Sequence, residues 1–200
     1  MNELMPFLQA TFGPLVLIFT VSNLGAMGLQ VKMPEVVAAL RNKKSIALIF
    51  VWGWVLGPLF GYLITRVLPL AEPYVVVVLL ASLAPCAPFI QQMVSKAGGD
   101  IGFAGALIPL VAVGTVVFMP VMAPLLIQGL TISVGALAKP LVLTILLPLV
   151  IGAAIRYRAD AVAVRIFPAV KGIAMLSTLL TIVWCLVIYG RGMLDTAGQY

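Results

Sequence analysis

Residues 81–100 read ASLAPCAPFIQQMVSKAGGD, an apolar stretch that two prolines interrupt and two glycines close. Pro85 and Pro88 lack an N–H group, and in a helix each ring clashes with the carbonyl four residues earlier, so a helix break is expected. Within a bilayer the freed carbonyls are tolerated only where protein or a water-filled cavity meets them. Secondary transporters place broken helices beside a bound substrate or ion near the membrane midplane. The stretch therefore predicts a transport site at the break.

The composition of the whole chain predicts an all-α polytopic membrane protein. Of its 200 residues, 63% are hydrophobic and 9% are charged, whereas soluble domains have about 45–50% apolar and about 25% charged residues. The apolar runs are long, which favours helices over the short alternating strands of a membrane barrel. Because the sequence contains no histidine, histidine catalysis and most metal sites are excluded, and neither a metal nor a resident cofactor is expected.

Six apolar segments reach the length of about 20 residues that a spanning helix needs. They form one transmembrane domain over residues 1–200 and cover about residues 7–29, 45–67, 73–97, 101–130, 134–155 and 166–189. The third segment is the one broken at 85–88. Its two arms would be about 16 and about 15 Å long at about 1.5 Å per residue. Together they match a hydrocarbon core of about 30 Å, which places the break near the middle of the membrane.

Basic residues indicate on which side of the membrane the loops lie. The loops after the first and fifth segments contain Lys32, Arg41, Lys43, Lys44, Arg156, Arg158 and Arg165. Cytoplasmic loops carry an excess of Lys and Arg, so we expect these loops in the cytoplasm, the N-terminus outside, and the chain in a bacterial inner membrane. The net charge of +6 follows from these loops, so membrane lipid is an expected partner and nucleic acid is not.

Two glycine patterns predict local structure. Gly53, Gly57 and Gly61 are spaced by four, so they share one helix face and let another backbone approach closely. Gly98 and Gly99 follow Lys96, which predicts a helix end just after the second arm of the broken segment.

Two glutamines follow the break and are the first candidates for contact with a substrate or an ion. A buried carboxamide is costly unless it is paired; its oxygen can bind a cation and its NH₂ group an anion. Gln91 and Gln92 point about 100° apart on a helix, so they cannot face one site equally, and Gln91 is the preferred contact. The alternative interpretation is structural: a glutamine satisfies the carbonyls that the prolines free.

Cys86 and Asn23 are further candidates, and each has a structural alternative. A thiol between the two prolines can bind a soft ligand such as arsenite, but free cysteine is also a small apolar residue suited to burial. Asn23 lies at mid-depth in the first segment, where it either faces a cavity or joins two helices by hydrogen bonds.

Four pieces of the sequence, in this order, resemble the bile acid:sodium symporter family, whose relatives include arsenite exporters. They are LGAMGLQVKMPEVVAALRNKK (24–44), WVLGPLFGYL (54–63), LLASLAPCAPFIQQMVSKAGGDIGFAGAL (79–107) and FMPVMAPLLI (118–127). The resemblance covers about residues 10–190. It implies inverted repeats, each with a crossover of broken helices, and a core domain that moves against a panel domain. Organic anions such as bile acids would bind near the first crossover, which corresponds to Pro85–Pro88.

Several positions differ from the pattern of the family's sodium-dependent members. A Ser-Asn pair is replaced by Ile90 and Gln91, two hydroxyl residues by Ala104 and Ile108, and a glutamine by Gly53. Of these positions only Gln91 keeps a side-chain oxygen, so it is the candidate contact for sodium as a coupling ion.

The resemblance also bears on length. Family members have about 300 residues by this resemblance, and the 200 residues here would contain the first inverted repeat plus one further helix of a bile acid symporter-like fold. We therefore expect an N-terminal two-thirds fragment; a complete chain of this length would need a homodimer or a partner chain to build a two-sided site.

These observations together predict a secondary transporter of a small organic anion, bile acid-like or another carboxylate or sulfonate, that works by alternating access. One alternative is an arsenite-type exporter that uses Cys86. A second is a membrane helper subunit that does not itself transport. An enzyme is not expected, because the apolar runs contain neither histidine nor a carboxylate.

Overall fold

A computed structural model describes residues 4–84, 94, 97–99, 101–127 and 133–197, and every regular element in these residues is a helix. In chain order the helices are α1 (Leu4–Gln30), α2 (Met33–Arg41), α3 (Lys43–Phe50, Val51–Leu56 and Gly57–Val67), α4 (Glu72–Ser82), α5 (Ile101–Leu126), α6 (Val134–Leu141, Val142–Leu146 and Leu147–Arg158) and α7 (Asp160–Ala197).

Five of these helices are long and apolar enough to cross a membrane. The spans are Leu8–Gln30, Ile46–Val67, Phe103–Leu126, Val134–Arg158 and Asp160–Gly190. Large apolar side chains such as Leu17, Val117 and Leu186 remain exposed along them, as expected of surfaces that face lipid rather than water. The predicted class, an all-helical integral membrane protein, is therefore confirmed.

Helix α4 is the described part of the segment that was predicted to be broken. It starts at Glu72, and Pro73 occupies its first turn, where a missing N–H costs nothing. It ends at Ser82, before Pro85, and Leu83 forms a turn. The break itself, predicted at 85–88, lies outside the described residues.

Helices α3 and α6 each contain one wide π-helical turn directly before a proline. The N–H of Gly57 donates to the carbonyl of Trp52, five residues earlier, and the N–H of Leu147 donates in the same way to Val142. Pro58 and Pro148 follow immediately. A proline ring clashes with the carbonyl four residues before it in a regular α-helix, and a wider turn is one way to accommodate that clash without ending the helix.

Six of the described helices fall into two groups. The glycine-packed group is α1, α6 and α7, and the crossover group is α3, α4 and α5, which flank the predicted crossover. In the glycine-packed group α1 lies along both α6 and α7. In the crossover group α4 packs against the second half of α3 and against α5. Helix α5 also joins the two groups, because Ile108 packs in one buried cluster with Leu24 and Met27 of α1 and Leu149 of α6.

Glycine allows α1 and α6 to pack backbone against backbone. A Cβ atom added to Gly28 would lie 2.9 Å from Cα of Gly152 and 3.0 Å from the backbone nitrogen of Ala153. A Cβ atom added to Gly152 would lie 2.6 Å from the carbonyl oxygen of Gly25. Neither position can hold a larger residue without moving a helix, so these glycines determine how closely the two helices approach.

Candidate functional site

The described residues form a frame on both sides of the predicted crossover. Before it, the end of α4 is anchored by Leu83, which is fully buried. Leu79 and Leu83 pack in one cluster with Ala123 and Ile127, at the end of α5. The chain therefore enters the segment 85–93 from a point that is fixed by apolar packing on α5.

The glycine face of α3 contacts the same end of α4. A Cβ atom added to Gly61 would lie 2.6 Å from the hydroxyl oxygen of Ser82, and one added to Gly57 would lie 3.2 Å from the carbonyl oxygen of Ser82. The hydroxyl of Ser82 donates to the carbonyl of Leu79 at 2.7 Å. The close helix approach that the glycine spacing predicted is thus confirmed for Gly57 and Gly61, and the neighbouring helix is α4.

After the predicted crossover, a glycine turn lies where the second arm was predicted to end. Gly98 has φ +68°, in the left-handed region that favours glycine. The N–H of Gly99 donates to the carbonyl of Val94 at 2.9 Å, the long hydrogen bond of a Schellman motif. The helix stop predicted at Gly98 and Gly99 is confirmed. Both ends of the segment between Ala84 and Val94 therefore have defined local structure.

Five of the predicted site residues lie outside the described residues, so their roles stay predictions. They are Pro85, Cys86, Pro88, Gln91 and Gln92.

Asn23 is the sixth predicted site residue, and the structure places it between α1 and α7. Its Nδ2 group donates to the carbonyl of Phe19 at 2.8 Å within α1, and across the interface to Oγ1 of Thr178 at 3.2 Å. A longer contact of 3.5 Å reaches the carbonyl of Ala174. These are the helix-joining hydrogen bonds of the structural interpretation; contact between Asn23 and a substrate stays a prediction.

Sequence reasoning missed the partners of Asn23 and its neighbour. The buried hydroxyls of Ser22 and Ser177 lie 3.2 Å apart, and farther along the same interface the indole N–H of Trp184 donates to Oγ1 of Thr11 at 3.2 Å. The signal available in the sequence was weak, because isolated Ser and Thr residues in apolar helices commonly bond to their own backbone. Only the pairing of α1 with α7 shows which of them join helices.

Trp54 was also missed, although it is the most buried aromatic residue of the crossover group. It lies in the wide turn of α3, and its ring packs on Gly114 of α5. The ring centroids of Phe50 and Phe118 lie 5.8 and 6.1 Å from that of Trp54. Its indole Nε1 is buried and has no hydrogen-bond partner among the described residues. Gly114 is what leaves room for the ring.

The sequence model of the sodium bile acid symporter family matches residues 14–195, which include the crossover and all five membrane-length helices in whole or in part. No individual curated protein matches the chain.

Proposed function

The chain belongs to the sodium bile acid symporter family, and on that premise we propose that it transports a small organic anion by alternating access. The observation that carries the proposal is the family match across residues 14–195, because it includes the segment from Ala81 to Asp100 with its two prolines. A transporter of this kind has no need of a catalytic residue, and we propose no enzymatic activity.

We place the substrate at the crossover. The frame on either side of it supports this proposal, because α4 ends in buried contacts at Leu83 and the glycine turn at Gly98 lies where the second arm was predicted to end. A helix that restarts after Pro88 would direct its first free N–H groups toward the break. Such N–H groups and the helix dipole favour a negatively charged ligand, which is why we propose an anion with a carboxylate or sulfonate group.

Gln91 is the side chain that we propose for direct contact, with Gln92, Cys86 and Asn23 as further candidates. Its amide can donate to the anionic group of the substrate, or its oxygen can contact a sodium ion that drives uptake. The proposed movement is a displacement of the crossover group relative to the glycine-packed group, which opens the site to one side of the membrane at a time.

The proposal is tested by uptake into proteoliposomes. The purified chain is reconstituted, and uptake of radiolabelled taurocholate is measured with and without an inward sodium gradient. We expect Gln91→Ala to lower uptake about tenfold, since a hydrogen bond to a charged group contributes about 1.5–3 kcal/mol. Gln30→Ala is the matched control, because Gln30 is exposed at the end of α1, and it should transport like the wild type.

The outcomes separate the alternatives. Equal uptake by Gln91→Ala and Gln30→Ala would show that Gln91 does not contact the substrate. Uptake that is the same with and without the sodium gradient would support transport of the anion but contradict sodium coupling. No uptake by the wild type, restored by a co-purified membrane protein, would favour the helper subunit.

The arsenite alternative has its own test. Cys86→Ala is expected to leave taurocholate uptake within twofold of the wild type, as is the control Cys185→Ala, whose thiol is half-buried in α7. Abolished arsenite export by Cys86→Ala alone would instead favour the exporter.

A further inference from the structure

An open groove lies where the ends of α1 and α6 meet α2 and the start of α7. Its volume is about 860 Å³, and its lining includes Lys32, Glu35, Arg41, Arg156, Tyr157 and Asp160. These residues belong to α2, α6, α7 and the link after α1, whereas the crossover is framed by α3, α4 and α5. The groove is therefore built from different helices than the proposed transport site.

The groove has an excess of positive charge. Lys32 pairs with Glu35, with 3.0 Å between Nζ and Oε1, and Nε of Arg156 pairs with Oδ1 of Asp160, also at 3.0 Å. Each of the two acidic residues thus already has a basic partner. Arg41 is exposed and has no carboxylate partner in the described part of the chain. Arg41, the third basic residue of the lining, is therefore available to bind an anion.

An apolar stripe lies beside this charge. On α2 the side chains of Met33, Val37 and Leu40 are 40, 48 and 45% exposed. They occur at positions i, i+4 and i+7, so they share one helix face. Arg41 comes four residues after Val37 and continues that face. Tyr157, at the end of α6, is 75% exposed, which is typical of aromatic residues at the boundary between lipid and water.

We propose that this groove binds the headgroup of an anionic phospholipid. The phosphate would contact Arg41, with Lys32 and Arg156 beside it, and the acyl chains would lie along the stripe of Met33, Val37 and Leu40. A free anion would bind the positive charge but would leave the apolar stripe exposed. A lipid can bind the charge with its headgroup and cover the stripe with its acyl chains. Basic pockets between helix ends on the cytoplasmic side are known to hold anionic headgroups, and amphipathic helices with a basic polar part lie at this depth of the bilayer.

The test measures lipid binding to the full chain purified in detergent, by native mass spectrometry. Phosphatidylglycerol and phosphatidylcholine are titrated separately, and we expect preferential binding of phosphatidylglycerol. Arg41→Gln leaves both ion pairs of the groove intact and should lower the affinity for phosphatidylglycerol about fivefold, as expected for one basic residue near a lipid surface. Binding of phosphatidylcholine should not change, and Arg41→Lys should retain most of the preference.

Lys139→Gln is the matched control. Lys139 is exposed near the start of α6, at the other end of the helix that carries Arg156, and its loss should leave the preference unchanged. An equal loss of phosphatidylglycerol binding in both variants would overturn the proposal, because it would reflect overall charge. So would equal affinity of the wild type for the two lipids.

Inorganic phosphate distinguishes a lipid site from a site for free anions. We expect millimolar phosphate to displace little phosphatidylglycerol, because phosphate cannot cover the apolar stripe. Displacement of phosphatidylglycerol by phosphate at comparable concentrations would show that the groove recognises the anion alone, and would overturn the lipid assignment. Thermal unfolding of Arg41→Gln, which changes an exposed side chain, is expected to match the wild type.

Discussion

The glycine-packed group and the crossover group are held together by different kinds of contact. In the first, Gly28 and Gly152 bring two backbones together, and hydrogen bonds such as that between Ser22 and Ser177 join α1 to α7. In the second, the tightest contacts are made by side chains: Leu83 in its cluster, Trp54 against Gly114, and Ser82 against Gly61. A backbone contact cannot adjust without moving a whole helix, whereas side-chain packing can change rotamers.

This difference suggests which group is the scaffold. Backbone atoms at 2.6–3.0 Å from a Cβ atom added to Gly28 or Gly152 leave no space for sliding between α1 and α6. The crossover group contains α4, and the segment that follows it, around Pro85 and Pro88, carries the predicted break. We infer that α1, α6 and α7 stay together during transport and that the change of shape occurs in or around α3, α4 and α5.

The largest expected effect is that of filling the glycine contact. Gly28→Ala places a methyl group on the backbone of α6, which cannot yield by a rotamer change, so we expect a loss of about 3 kcal/mol in the free energy of unfolding. The measurement is thermal or denaturant unfolding in detergent, followed by circular dichroism.

Gly25→Ala is the control for this experiment. It lies in the same helix, and apart from its own helical neighbours no described atom lies within 4 Å of an added Cβ atom. Since alanine is favoured over glycine within a helix, this variant should be at least as stable as the wild type. Equal destabilisation of both variants would contradict the backbone contact between α1 and α6.

The second effect tests the crossover group and should be smaller. Gly114→Ala directs a methyl group at the ring of Trp54, but an indole can shift where a backbone cannot, so we expect a loss of about 1–2 kcal/mol. Trp54→Phe removes part of the ring and with it the buried N–H, which has no hydrogen-bond partner among the described residues. Removing this unpaired donor offsets the packing that the substitution loses.

Trp54→Phe should therefore rescue Gly114→Ala. A double-mutant cycle of unfolding free energies measures the coupling, which we expect to be about 1 kcal/mol for residues in direct contact. Additive effects would show that the ring does not limit position 114 and that contact with Trp54 does not hold α3 against α5.

Local signals in the sequence predicted a good part of this architecture. The apolar runs indicated the membrane class, the spacing of Gly57 and Gly61 indicated a close helix contact, and Gly98 indicated a helix end. Each of these features depends on residues near one another in the chain, so periodicity and turn chemistry are sufficient to find it.

Features that depend on distant residues were not predictable in the same way. Gly28 and Gly152 resemble other membrane-helix glycines until α1 and α6 are placed side by side. Helix α7 begins at Asp160, earlier than the apolar pattern from about residue 166 suggested. The mixed polarity of residues 160–165 hides this start, and Asp160 forms an ion pair with Arg156 across the junction.

The smallest expected effect concerns the hydrogen bonds between α1 and α7. Ser177→Ala removes the buried contact with Ser22, and Asn23→Ala removes the bond to Thr178. Hydrogen bonds between membrane helices contribute about 0.6 kcal/mol on average, because the separated helices find other partners in the membrane. We expect losses of about this size in both variants, well below that of Gly28→Ala.

Taurocholate uptake then distinguishes the two interpretations of Asn23. If its amide only joins helices, Asn23→Ala and Ser177→Ala lower stability alike and leave the KM for uptake unchanged, since both act within a group that does not change shape. If Asn23→Ala instead raises the KM for uptake while it is as stable as Ser177→Ala, Asn23 lies in the substrate path. In that case the glycine-packed group would line the site as well as support it, and transport would depend on the boundary between the two groups rather than on the crossover alone.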